Sequence, residues 1–458
     1  MRHSLYVLIV LVGILVLTAC GTLELGFEPT ATPSSTPTVT PLPPPITKIV
    51  ATETVSPTTA AATPTPALEP TASPTPAPSL TPPRQTPRLR IALVMDGNVW
   101  LWSQGEETRV LTAAGDVISV QISDDGQVVA FLRGLELWAV NSDGTDERVL
   151  VSIEDIAGMV EPGDPGVRLH RFDWVPGTHG VVYNTRLHVE VGLVPNDDLR
   201  LVDADTLEQR VLLPRGDGGE FTYSPDGRQI AIVRSGTIVL VDAQGGNRRE
   251  VLTYTPPVTY SEFQYYAQPV WAADSGSLRV VLPPADPLAQ PPQLATVWHL
   301  RTDGRAARLI ASLAVKVGSQ PAFSPDLTYV AYLEQAEDAE LGSGEAGLLV
   351  ADLEDGRTIT YAASAYSLYG WAPDSQHLAF LTDPDLPRAM IGQLGSDPTP
   401  VYDDPGVATV DVRWIDASRY FFTAIAAEER RILLGEIGGP STVVATVTGR
   451  SLIYDFAH

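Results

Sequence analysis

The chain has 458 residues, 44% of them hydrophobic, which is enough to bury a large core, while 40 prolines and 37 glycines imply many turns or a stretch without any core. Lys and Arg total 30 against 55 acidic residues, a formal charge of -25, with lysine only at Lys48 and Lys316. This balance argues against a nucleic-acid partner, which needs a basic face.

Residues 1–20 read as a secretory signal: Arg2 near the start, an apolar run from Leu5 to Leu17, then Leu17-Thr18-Ala19-Cys20. Those last four resemble the bacterial lipobox. The resemblance implies a signal peptide over 1–19, lipid on Cys20 and a chain anchored outside the cytoplasm to the bacterial cell membrane, exposed in the envelope. An ordinary signal peptide or a single anchor helix are the alternatives, although the apolar run is short for a span of ~20 residues. Cys20 is the sole cysteine, so no internal disulfide can form.

The segment 20–88 is expected to be a disordered tether. From Glu28 to Pro87 its composition collapses to Pro, Thr, Ser and Ala, as in PTASPTPAPSLTPP, which cannot build a core. A chain of this kind favours extended polyproline II, at ~3.1 Å per residue. The same composition is found in O-glycosylated stalks. Residues 1–88 carry four basic and four acidic residues, so the whole negative excess belongs to the remainder.

Residues 89–458 are organised by one pattern, clearest in FTYSPDGRQIAIV (Phe221–Val233): a short apolar strand, a tight turn and an alternating strand. Ser224 and Pro225 suit the first positions of a type I turn, Asp226 can bond the backbone two residues on, and Gly227 tolerates a left-handed exit. An apolar or aromatic residue before a polar turn recurs at Ile122, Trp174, Tyr223, Trp271, Phe323, Trp371 and Trp414, with a turnless copy at Phe456. The spacings are 52, 49, 48, 52, 48, 43 and 42. A period near 48 indicates a propeller or a solenoid.

Four short strands fill each period, shown by Glu220–Tyr223, Gln229–Val233, Thr237–Asp242 and Arg249–Thr253. The expected fold is therefore all-β, a β-propeller of four-stranded blades. Eight blades are expected, with seven as the alternative because 160–213 and 407–447 diverge. A β-helix would want shorter rungs and fewer hairpins. Arg90–Met95, Val99–Ser103 and Arg109–Thr112 supply three strands of a first blade, and Leu452–Phe456 supplies the missing innermost one. Pairing them closes the ring and removes exposed edges. The recurring aromatics are expected to pack between blades and the recurring Asp residues to form turns.

The repeats YSPDGRQIAIV, FSPDLTYVAYL and WAPDSQHLAFL resemble those of TolB-like and WD40-like propellers, also found as the non-catalytic domain of prolyl oligopeptidase-type peptidases. The resemblance covers about residues 89–458 and implies fold rather than activity, because such propellers host unrelated functions.

In a propeller the loops joining second to third strands, and one blade to the next, share a face. The long insertions all belong there: Ile153–Gly166, Tyr254–Ala267, Arg186–Asp198, Pro283–Ala295, Glu334–Ala346 and Asp383–Arg388. This elaborated face is the expected binding face. Tyr260, Phe263, Tyr265 and Tyr266 crowd one insertion and could stack on a sugar or anchor a peptide, or simply pack on one another. Acidic residues also gather there (Glu154, Asp155, Glu161, Asp164, Asp197, Asp198, Glu334, Glu337, Asp338, Glu340), either as a lure for a basic partner or cations or as a solvated rim. On the innermost strands Arg168, His170, Arg171, Asp173, Asp411, Arg413 and Asp455 could grip a small anion or a peptide terminus, or satisfy one another.

No G-x-S-x-G and no second α/β domain are found, and His170, His179, His188, His299 and His377 show no metal-ligand spacing. The sequence-based expectation is a monomeric envelope module that binds a protein, peptide or glycan, without cofactor or metal and without catalysis. The alternative is a metal-dependent polysaccharide lyase or other hydrolase-like enzyme on a TolB-like propeller.

Overall fold

The computed structural model describes residues 88–335, 346–382, 385–427, 429–448 and 452–458, all within the unit Thr81–His458. The expected signal, Cys20, nearly all of the tether, and Glu337, Asp338 and Glu340 lie outside them.

Eight four-stranded antiparallel sheets follow one another along the chain, and together they form an eight-bladed propeller. Both divergent stretches form complete blades. Blade 3 is Val167–Trp174, Gly180–Leu187, Leu199–Asp203 and Gln209–Leu213, and blade 8 is Ala408–Trp414, Arg419–Ala426, Glu429–Glu436 and Thr442–Thr448. Blade 1 combines the two ends of the domain. Its innermost strand, Tyr454–Ala457, pairs antiparallel with Arg90–Met95, setting Leu93 opposite Tyr454 and Ile91 opposite Phe456. Closure therefore satisfies two strands that would otherwise be edges.

The Ser-Pro-Asp-Gly turn explains why the pattern repeats. Gly227 has φ +68° and donates its N–H to Ser224 O at 2.8 Å. The Asp226 carboxylate accepts from Ser224 Oγ at 2.6 Å and from Arg228 N two residues on at 3.1 Å. The turn also reaches outward: Asp226 N donates to Ser275 Oγ of the next blade, and Asp326 N to Ser375 Oγ, both at 3.1 Å. A side chain chosen for its turn thus also registers its neighbour.

The core is divided in the same way. Eight apolar clusters fill the eight gaps between adjoining blades, and no single centre dominates. Trp174, Trp271 and Trp371 are buried in three of these gaps, so the recurrent aromatics are the inter-blade packing expected of them.

Antiparallel order puts the two short turns of each blade at one end and the longer connections at the other. One connection, expected only as a loop, holds a short helix, Ile153–Ala157, whose Ser152 and Asp155 form a reciprocal capping box.

Candidate binding face

On the elaborated face, three connections around blade 5 enclose a cavity of about 510 Å³. Tyr260, Tyr265 and Tyr266 come from the connection between blades 4 and 5, a second wall from the segment 283–295, and a third from 315–321. The walls are tied together. Tyr260 Oη donates to Asp286 Oδ1 at 2.7 Å, and Val258 N donates to Ala285 O at 2.8 Å. Tyr265 lies edge-on to Tyr254 at 6.4 Å between ring centres and is packed into the gap between blades 4 and 5. Burial, with the nearby charges of Asp197 and Glu220, pushes the Tyr266 hydroxyl up to about 12, so it remains a donor at neutral pH.

Among the described residues no Asp or Glu lines the cavity, and Lys316 is its one charged lining residue. Gln268, Gln290, Gln293, Gln320 and Gln335 supply amides, each both donor and acceptor. Phe263 is not part of the lining. It is 48% exposed, with its carbonyl accepting from Thr259 Oγ1 at 2.7 Å. The wall at 315–321 was not among the expected insertions, although Gly318, Ser319 and Pro321 are the turn residues that mark it.

The charged residues of the innermost strands form two groups. In blade 3, His170 is the extra residue of a bulge between Leu169 and Arg171, and its Nε2 meets Glu220 Oε1 of blade 4 at 2.8 Å. Arg171 pairs with Asp173 at 3.1 Å and lies over the Phe221 ring at 4.8 Å. Burial alone would raise the Glu220 pKa, but His170 and Arg171 overcome it and hold it below the usual range. In blade 8 a second bulge leaves Asp411 at φ +57°, from where it accepts from Arg413 Nε at 3.0 Å. Arg413 also donates to Tyr454 O at 2.7 Å and sits over the Tyr454 ring at 4.1 Å. Asp455, whose pKa burial raises, accepts from Ile122 N at 2.9 Å. Each of these side chains therefore meets a protein partner, whereas Arg168 on the strand of His170 has no carboxylate partner among the described residues.

Several acidic residues of the face are likewise committed to structure. Asp164 and Glu161 hold Arg215 at 2.8 and 3.2 Å, and buried Asp198 binds Thr185 and Arg200. Among the described residues no three His, Cys, Asp or Glu side chains are grouped as metal ligands.

No family model matches the chain, and no curated protein matches it in sequence. Among solved structures it is similar to the dihydro-heme d1 dehydrogenase NirN, at 11% identity and TM-score 0.51, over 79% of this chain and 74% of that one. It is similar to two prolyl endopeptidases at 15% identity and TM-score 0.48, over 74% of this chain, and spans about half (50%) of their length. A putative TolB from Agrobacterium tumefaciens matches at 13% identity and TM-score 0.34, over 55% of this chain and 89% of that one. These likenesses are of fold, and they include TolB-like propellers.

They also correct one expectation. A chain of this architecture was expected not to be an enzyme, yet the match to a dehydrogenase covers 74% of that chain, so the fold also occurs in an enzyme.

Proposed function

We propose that the elaborated face is a ligand-binding face and that the Tyr260–Tyr265–Tyr266 cavity takes an uncharged segment of a peptide or glycan carried by a cell-envelope partner. The supporting observation is the lining: in a chain of net charge -25, no described carboxylate lines the cavity, Asp286 of one wall being bonded to the Tyr260 hydroxyl, and aromatic rings with glutamine amides face it instead. Rings stack on apolar faces, while amides serve hydroxyls and peptide groups, which also need both a donor and an acceptor. The test is capture of defined neutral oligosaccharides and peptides by the purified protein. Tyr266→Ala and Gln268→Ala should each lose the captured ligand, whereas Thr145→Ala on the opposite face should keep it. Unchanged capture after shortening 254–267 would sink this reading.

The preceding segment supports a lipid-anchored tether on Cys20. Arg88, where the described domain begins, pairs with Glu106 at 2.5 Å in a short turn of blade 1, so the chain enters on the trimmed face. Cys20→Ser should release the protein from the membrane fraction, and retention with unchanged processing would refute the anchor.

A further inference from the structure

Arg168 and Arg186 stand directly opposite each other on the first and second strands of blade 3, one residue in from the loop-rich end of each. Residues paired this way share a sheet face with Cβ atoms about 4.5–5.5 Å apart, and like charges so placed repel. Both side chains are half-buried, and the Nε of each is buried with no protein acceptor. Neither has a carboxylate partner among the described residues. Other half-buried arginines are engaged: Arg133, Arg148, Arg200, Arg413 and Arg419 pair with Glu147, Asp146, Asp198, Asp411 and Asp416, while Arg90, Arg234, Arg249 and Arg279 donate to the carbonyls of Gly126, Gly216, Thr302 and Leu327.

In a chain with 55 acidic residues carboxylates are abundant, and yet among the described residues none pairs with either arginine. Burial and the charge of Arg168 both lower the Arg186 pKa, consistent with two uncompensated cations. Two guanidinium forks side by side present a set of N–H donors matched to a planar or tetrahedral oxyanion, which can bond both at once. We infer that Arg168 and Arg186 form a clamp for an anionic group, a carboxylate or a phosphate, on a ligand entering at the loop-rich end of blade 3. Its residues are distinct from those of the Tyr260 cavity, so either site can fail without the other.

The test is thermal unfolding of the purified protein in inorganic phosphate, in acetate and in chloride at matched ionic strength, so that screening is common to all arms. A bound anion raises Tm by mass action. Wild type should melt higher in phosphate or acetate than in chloride, and whichever anion does so identifies the group. Arg168→Gln and Arg186→Gln should each lose that rise, and in chloride should melt no lower than wild type, because one repulsive partner is gone. If a Gln variant does not fold, the Lys variant decides: it keeps the charge without the fork and should retain less than half the rise. No rise with either anion, or a full rise in the variants, overturns the proposal.

Discussion

Trp271 Nε1 donates to Thr222 O at 3.2 Å, so the aromatic that marks blade 5 is hydrogen-bonded to the innermost strand of blade 4. The same bond joins Trp371 to Ala322 at 2.9 Å and Trp414 to Gly370 at 3.1 Å. At the corresponding place in blade 3 the Trp174 nitrogen is buried without an acceptor, and Gln121 Nε2 of blade 2 donates to Phe172 O at 3.0 Å instead. A tryptophan is required at this place wherever both its area and its N–H are used.

Trp271→Phe should therefore cost more than Trp174→Phe, although both remove similar volume. The first strands a carbonyl that had a partner, and the second removes a donor that had none. The difference should be about 1 kcal/mol in urea unfolding of the two variants. Equal losses would mean that packing alone sets the preference.

A pH dependence follows from His179, on the trimmed face. Its Nδ1 meets Asp205 at 2.9 Å and its Nε2 meets Asp125 of blade 2 at 3.2 Å. Burial lowers its pKa, but the bond to Asp205 and the charge of Asp125 outweigh it, leaving the folded value above the ordinary 6.5. This contribution to stability is complete below about pH 6.5 and lost as pH rises through the folded pKa. His179→Gln should flatten the Tm-versus-pH curve in that alkaline window. A curve still sloping as in wild type would place the titration elsewhere.

The blade count, the ring closure and the face that carries the loops were legible because turn chemistry repeats at fixed offsets from one aromatic. Tyr260, Tyr265 and Tyr266 were legible as a crowded insertion. The wall at 283–295 was likewise legible as an insertion on that face, but the wall at 315–321 and the glutamines were not, since glutamines carry no periodic signal. Arg168 was legible as one of the charged residues of an innermost strand, but its pairing with Arg186 was hidden for a different reason. Cross-strand partners depend on register, and the bulge at His170 breaks the alternation from which register is read.

Two glycines in similar conformations should respond differently to alanine. Gly105 (φ +83°) faces open space, whereas a Cβ on Gly245 (φ +82°) would lie 2.2 Å from Leu212 O of the preceding blade. Gly105→Ala should cost about 1 kcal/mol for the left-handed backbone alone. Gly245→Ala adds a clash with backbone that cannot rotate away and should cost at least about 3 kcal/mol. Chemical denaturation of both variants gives the comparison, and matching values would mean that the blades separate easily at this turn.

The last strand links three blades. Tyr454–Ala457 pairs within blade 1, accepts from Arg413 of blade 8 through Tyr454 O, and accepts from Ile122 of blade 2 through Asp455. Deleting 452–458 exposes an edge on Arg90–Met95 and removes buried Tyr454 and Ala457 from two inter-blade clusters. It should abolish cooperative unfolding of the propeller or lower Tm by well over 10 °C, on the order expected when several kcal/mol are lost. Asp455 separates the electrostatic part. Because burial raises its pKa, its ionisation opposes folding, so its own contribution to stability falls as pH rises from about 3.8 through the folded value. Asp455→Asn keeps an oxygen for Ile122 N and removes the charge; it should be as stable as wild type or more so at pH 7 and lack that acid-side slope. Asp455→Ala should be less stable than both, because Ile122 N is then left without its acceptor. If Asn and Ala behave alike, the strand is held by its ladder and side-chain packing rather than by this bond across the closure.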